Sequence, residues 1–183
     1  IWIADSINGL IKITNGSMES AILPNGPSSN NVFDLNFSNS KLFMSHGGHS
    51  NYNVNNLNYQ GVSVLENNSW KNYTSQFLGN SRDIVSSTTN GDYEYFASWY
   101  DGISEISSDN LSNKFGYDNT NGILDTTYYS NNRIRISDIK FDQNGPLWAL
   151  SSEVNHPIVA KTINDQWISY TMNYFCTRKV IIN

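Results

Sequence analysis

Residues 136–150 read Ile136-Ser137-Asp138-Ile139-Lys140-Phe141-Asp142-Gln143-Asn144-Gly145-Pro146-Leu147-Trp148-Ala149-Leu150. Two short apolar runs flank a polar turn. Asp142-Gln143-Asn144-Gly145 is the turn, because glycine takes positive φ without steric cost and Asp and Asn side chains bond nearby backbone. Leu147 and Trp148 open the second run. Imperfect copies precede it. Val32-Phe33-Asp34-Leu35-Asn36-Phe37 leads through Asn39-Ser40 into Leu42-Phe43-Met44, and Arg82-Asp83-Ile84-Val85 leads through Asn90-Gly91-Asp92 into Tyr95-Phe96-Ala97. Ile1-Trp2-Ile3-Ala4 reads as the second strand of a further copy. Self-similarity of this kind marks a repeat architecture.

Each copy extends into four short strands. The units span about residues 1–25 (incomplete), 32–74, 82–117 and 136–171, with the start of a next unit at 178–183. Gly61-Val62-Ser63-Val64-Leu65 matches Gly9-Leu10-Ile11-Lys12-Ile13, and Trp70-Lys71-Asn72-Tyr73 matches Trp167-Ile168-Ser169-Tyr170. The aromatic anchors Trp2, Phe43, Phe96 and Trp148 are spaced by 41, 53 and 52 residues. A lone four-stranded antiparallel sheet cannot bury both faces, so such sheets stack radially around an axis. The fold class is therefore all-β, a β-propeller fragment of about three and a half four-stranded blades. The anchors are expected between neighbouring sheets, where truncating a large aromatic costs about 3–5 kcal/mol. Trp2 and Trp148 are expected to carry that cost. A two-sheet sandwich, the alternative, lacks aligned anchors.

Composition supports many strands and polar turns. Aromatics make up 13% of the 183 residues and charged residues 15%, and asparagine is abundant in clusters such as Asn55-Asn56-Leu57-Asn58. With a net charge of −5 and no basic cluster beyond Arg178-Lys179, nucleic acid is not an expected partner. The single cysteine, Cys176, reads as a small buried hydrophobe. No apolar run has the length of a membrane span. The sequence opens inside a strand, so it is expected to be part of a longer chain whose remaining blades complete the ring.

Catalytic motifs are absent: there is no Gly-x-Ser-x-Gly elbow, phosphate loop or His-Glu-x-x-His pair. The expectation is a non-enzyme with no cofactor and no metal. The long insertion Ser45–Gln60 carries His46, His49, Tyr52 and Tyr59, and Trp99 and Tyr100 follow the third unit's second strand. These six are the ligand-binding candidates, because loops on a rigid scaffold carry function and flat rings beside amides suit a carbohydrate or protein surface. Asp34, Asp83 and Asp138 recur before apolar residues. They read either as turn and backbone caps or as an acidic ring around the axis. Asp5 and Asp101 read as turn residues.

The ordered pattern Ile1-Trp2-Ile3-Ala4-Asp5 with Gly9-Leu10, Pro24-Asn25-Gly26-Pro27 with Asn30, Gly47-Gly48, Gly61-Val62, Trp99 with Gly102-Ile103, and Phe141-Asp142 through Leu147-Trp148 resembles the propeller region of PorZ-type proteins of the Bacteroidetes Por, or type IX, secretion system. Phe-Asp-x-x-Gly-x-Leu-Trp also resembles the two-component-regulator propeller repeat. The first resemblance implies a surface protein of a Gram-negative bacterium, exposed at the cell surface or in the periplasm and indirectly associated with the outer membrane. It implies surface glycan (lipopolysaccharide) or secretion-system proteins as partners. The second implies an extracytoplasmic ligand-sensing propeller. On either reading, Tyr52→Ala combined with Tyr59→Ala is predicted to weaken ligand binding without lowering the melting temperature. Unchanged binding to purified surface glycan and to secretion-system proteins refutes this.

Overall fold

The structure, a computed structural model, describes residues 1–5, 9–22 and 24–171. Cys176 and the strand expected at 178–183 lie outside them. Among the described residues, fifteen strands fall into four sheets, and each sheet joins sequence neighbours antiparallel. Blade I holds β1 (Trp2–Asp5), β2 (Gly9–Thr14) and β3 (Ser17–Ile22). Blade II holds β4 (Asp34–Ser38), β5 (Lys41–Ser45), β6 (Val62–Glu66) and β7 (Ser69–Tyr73). Blade III holds β8 (Ile84–Thr89), β9 (Tyr93–Ser98), β10 (Gly102–Ser107) and β11 (Asn110–Phe115). Blade IV holds β12 (Ile136–Phe141), β13 (Leu147–Ser151), β14 (Ile158–Lys161) and β15 (Trp167–Tyr170). Strand β8 packs against both β4 and β12, so the innermost strands face one another about a common axis. This is a β-propeller fragment.

Local chemistry fixes the repeat. In the turn at 142–145, the Asn144 N–H donates to Asp142 Oδ1 at 2.6 Å and the Trp148 indole N–H to Asp142 Oδ2 at 2.8 Å. Gly145 sits at φ 100°. Glycine also opens the third strands of blades II and III. A Cβ on Gly61 would lie 2.0 Å from the Tyr73 carbonyl oxygen, and one on Gly102 2.2 Å from that of Phe115. Both glycines let the third strand close onto the end of the fourth. The outer strand of blade III begins two residues earlier than the sequence suggests, because Ser108 and Asp109 take the left-handed conformation and tighten the turn before it.

Two apolar seams join blades II, III and IV. Between blades II and III lie Phe43, Val62, Val64, Tyr73, Leu78, Ile84, Phe96 and Ile106. Between blades III and IV lie Tyr95, Ala97, Ile103 and Phe115 opposite Ile139, Leu147, Ala149 and Val159. The innermost strands add polar ties. Asn36 Nδ2 donates to the Ser87 carbonyl at 2.6 Å, and the Ser45 and Ser87 hydroxyls meet at 2.8 Å.

Strand register corrects the anchor set. Trp2, Phe43, Tyr95 and Trp148 are the equivalent positions, pairing with Lys12, Val64, Glu105 and Ala160 on the third strands. Phe96 is one residue later and points to the opposite face, into the seam with blade II, where its ring lies 6.2 Å from Phe43 and 5.5 Å from Tyr73. Trp2 is not a buried wedge: 52% of it is exposed. Trp148 is half-buried on the face of blade IV turned away from blade III, stacked 5.2 Å from Tyr170. The severe truncation cost expected at Trp2 and Trp148 therefore belongs to the fully buried Phe43 and Phe96. Phe96→Ala is predicted to cost about 3–5 kcal/mol in chemical denaturation and Trp2→Ala far less. Equal shifts in denaturation midpoint for the two variants contradict this placement.

Candidate functional site

In an antiparallel meander, the loop between second and third strands and the connection between blades emerge at the same end. That end gathers residues 46–60, 74–83, 99–101, 116–135 and 152–157. Among the described residues, the opposite end holds only tight turns.

The long insertion is clamped onto this end. Gly47 donates its N–H to the Ile84 carbonyl at 2.9 Å, and a Cβ there would lie 2.2 Å from Ile84 N. Asp83 is fully buried, and its carboxylate accepts from the backbone N–H groups of Leu57 and Asn58 at 2.9 and 2.8 Å. His46 is also buried: Nδ1 donates to the Asn31 carbonyl at 2.9 Å and Nε2 meets Ser63 Oγ at 2.8 Å. His49 stacks on Trp99 with ring centroids 4.3 Å apart, and the Arg135 guanidinium lies 5.1 Å from the same indole. The Trp99 N–H donates to the Asn53 carbonyl at 3.2 Å. Three of the six candidates, His46, His49 and Trp99, thus hold the insertion in place, and the flat face expected of Trp99 is covered. Tyr52 and Tyr59 remain exposed, Tyr52 by 90%.

Tyr100 leads to a different place. A cavity of about 770 Å³ opens beside it, bounded by Asp101, Phe115, Tyr117, Asp118, Asp125 and Asn131 among others. The Arg82 guanidinium lies 3.7 Å from the Tyr100 ring centroid, and Arg133 lies 5.6 Å from it. Arg82 also grips Asp101 with two parallel bonds, Nε to Oδ2 at 2.9 Å and Nη2 to Oδ1 at 2.8 Å. That pair raises the Arg82 pKa further. Tyr100 is therefore a held wall, and the open ring is Tyr117, 48% exposed at the mouth. A short 3₁₀ turn, Asp118–Thr120, follows it, and Thr120 Oγ1 donates to the Gly116 carbonyl at 2.7 Å. Tyr117, Asp118 and Asp125 escaped sequence reasoning because 116–135 has no periodicity and the outer strand was expected to run through Tyr117. The Asn-Gly pair at 121–122, left-handed at both residues, was the available signal for a turn there.

At the axis, Asp34, Ser86 and Asp138 are the equivalent inner-strand positions. Asp83 is not among them, so an acidic ring of Asp34, Asp83 and Asp138 does not form. Ser86 Oγ donates to Asp138 Oδ1 at 2.7 Å, and Lys140 Nζ reaches from blade IV to Asn36 Oδ1 of blade II at 3.2 Å. Burial, reinforced by the Asp138 charge, pushes the Asp34 carboxyl above the usual range, and Lys140 partly offsets this.

No protein-family model and no curated protein matches the chain. Solved structures do. PorZ, a surface component of the type IX secretion system of Porphyromonas gingivalis, superposes with a TM-score of 0.71 at 20% identity, over 90% of this chain and 23% of that one. The extracellular domain assigned to a hybrid two-component system of B. thetaiotaomicron gives 0.50 at 14% identity, over 93% of this chain and 22% of that one. Virginiamycin B lyase from Staphylococcus aureus gives 0.52 at 16% identity, over 92% and 50%. The chain thus spans about a quarter of the first two and half of the third, and at these identities the likeness establishes the propeller fold.

The axial carboxylates supply a pH test. A carboxyl whose folded pKa is raised favours the folded state at low pH, and that contribution is lost as pH rises through the folded value. Asp34→Asn is predicted to raise the thermal midpoint at neutral pH, with the gain shrinking as the pH falls towards the ordinary carboxylate range. A gain that is absent at neutral pH, or that grows on acidification, contradicts the assignment.

Proposed function

We propose that the protein is a non-enzymatic β-propeller binding module of a Gram-negative surface or periplasmic protein, which holds surface glycan in the cavity beside Tyr117. The observation that carries this reading is an exposed phenol ring at the mouth of a cavity walled by amides and carboxylates. Sugars are bound this way: the apolar face of a pyranose lies on an aromatic ring while hydroxyls bond to side-chain amides and acids. Around the cavity, Asn119 bonds both the Gly116 N–H and the Lys114 carbonyl, so the wall is set before a ligand arrives. Preformed walls lower the ordering cost of binding.

The fold shared with PorZ, itself described as an essential bacterial surface component of a secretion system, supports an extracytoplasmic setting. In that setting the module serves as a scaffold for lipopolysaccharide or for secretion partners, in association with the outer membrane. A second reading, the ligand-sensing propeller of a regulator, is favoured by the likeness to the two-component extracellular domain. The flanking gene sequence separates them. A membrane helix followed by kinase motifs marks the sensor, and a second propeller followed by a terminal sandwich marks the secretion component.

Tyr117→Ala is predicted to weaken binding of purified Bacteroidetes lipopolysaccharide polysaccharide about tenfold by calorimetry, the loss of one ring contact, with an unchanged thermal midpoint. Undiminished binding by that variant refutes the site.

A further inference from the structure

The charges around this cavity are not balanced in the direction of the ligand. Asp101 is satisfied by Arg82, which bonds both carboxylate oxygens. Arg82 and Arg133 lie over the Tyr100 ring, and neither bounds the cavity. Lys114 does bound it, but its Nζ is tied to the Gly79 carbonyl at 2.9 Å, and burial draws its pKa down. The remaining charged groups are Asp118 and Asp125. Among the described residues neither has an ion-pair partner, and Asp125 uses Oδ1 to accept the Thr126 N–H at 2.7 Å. Both stand with the open ring of Tyr117 on one connection, residues 116–135, between blades III and IV.

Resting on the glycan reading above, we infer that the cavity selects a sugar unit carrying a protonated amine, with its ring on Tyr117 and its ammonium towards Asp118 and Asp125, over units carrying carboxylate or phosphate. Two carboxylates repel an anionic sugar and attract an ammonium, while an N-acetyl group brings no charge to either. The phenol adds to the preference, since its face attracts cations as well as the C–H face of a sugar. A lysine side chain offers the same charge without a pyranose face for Tyr117, so the ring favours a sugar over a basic peptide.

The test is calorimetric titration of this chain at about pH 6, where the amine is protonated. The probes are fully deacetylated chitotriose, N-acetylated chitotriose, trigalacturonic acid and trilysine. Deacetylated chitotriose is expected to bind tightest of the four. Asp118→Asn combined with Asp125→Asn is expected to weaken it about fivefold, as for exposed ion pairs, and to erase its advantage over the acetylated trimer. Asp118 is exposed and Asp125 half-buried, asparagine can still accept the Thr126 N–H, and an unchanged thermal midpoint shows that the fold is intact. Equal or tighter binding of the acetylated or acidic trimer overturns the inference, as does a double variant that retains the preference. Trilysine binding as tightly as the deacetylated trimer overturns the assignment to a sugar. If Tyr117→Ala still impairs polysaccharide binding in those cases, the glycan site stands and only the amine preference fails. If Tyr117→Ala is silent towards every probe, the glycan site itself fails.

Discussion

The molecule depends on the burial of both faces of blade III. One face sends Phe96 and Ile106 against Phe43 and Tyr73 of blade II, and the other sends Tyr95, Ala97 and Ile103 against Leu147, Ala149 and Val159 of blade IV. Side chains alternate along a strand, so one register satisfies both seams, and a slip of one residue would exchange them. The inner strand β8 is the severe case, since all six of its residues are buried although four are Ser or Thr. It is tolerated because the hydroxyls find partners: Ser86 on Asp138 and Ser87 with Ser45 across blades, and Thr89 on the Tyr93 carbonyl within blade III. Buried hydroxyls with partners cost little, and here they also set the angular spacing of the blades.

The strands were legible because period-two alternation and glycine turns are local properties. What escaped is information that alternation alone does not hold. Tyr95 and Phe96 are adjacent aromatics, and sequence spacing cannot say which one faces the next blade. The answer lies in the pairing of Tyr95 with Glu105, three residues beyond Gly102, where Val64 lies three beyond Gly61. Anchor spacing makes Trp148 a wedge between sheets. It holds the position equivalent to Phe43, on the face turned away from blade III, and its indole N–H reaches back to Asp142, a bond that also holds that carboxyl below the usual range. Asp83 looked like a copy of Asp34, yet its left-handed backbone lifts it out of the strand and its carboxylate serves the insertion.

Asparagine abundance has a structural reason. Asn15, Asn39, Asn53, Asn67, Asn68, Asn80 and Asn121 all take positive φ, which asparagine tolerates better than other residues with a side chain. Other asparagines bond backbone across distance. Asn58 Nδ2 donates to the His46 carbonyl at 2.6 Å and Asn55 Nδ2 to the Trp99 carbonyl at 3.1 Å. A polar insertion with little regular structure is therefore held at many points, His46, His49 and Trp99 among them, while Tyr52 and Tyr59 stay exposed.

A shared fold does not separate a lyase from a surface component, since both superpose on this chain. The discrimination has to come from groups whose bonding capacity the scaffold leaves unused. At the axis that capacity is small: Asp138 is bonded by Ser86, Asp34 is held above the usual carboxylate range, and the Lys140 amine reaches across to Asn36. In the insertion it is confined to Tyr52 and Tyr59, which stay exposed, because the His46, His49 and Trp99 rings are engaged. It concentrates in the connection from blade III to blade IV, where Tyr117 keeps an open face and Asp118 and Asp125 keep free oxygens. Leu124, Ile123 and Ile134 tie that connection into the seam between blades III and IV, and Ile134 exchanges backbone bonds with Tyr100 and Gly102, while Tyr117 and Asp118 stay exposed. On the proposed reading, specificity rests with the exposed residues between those ties.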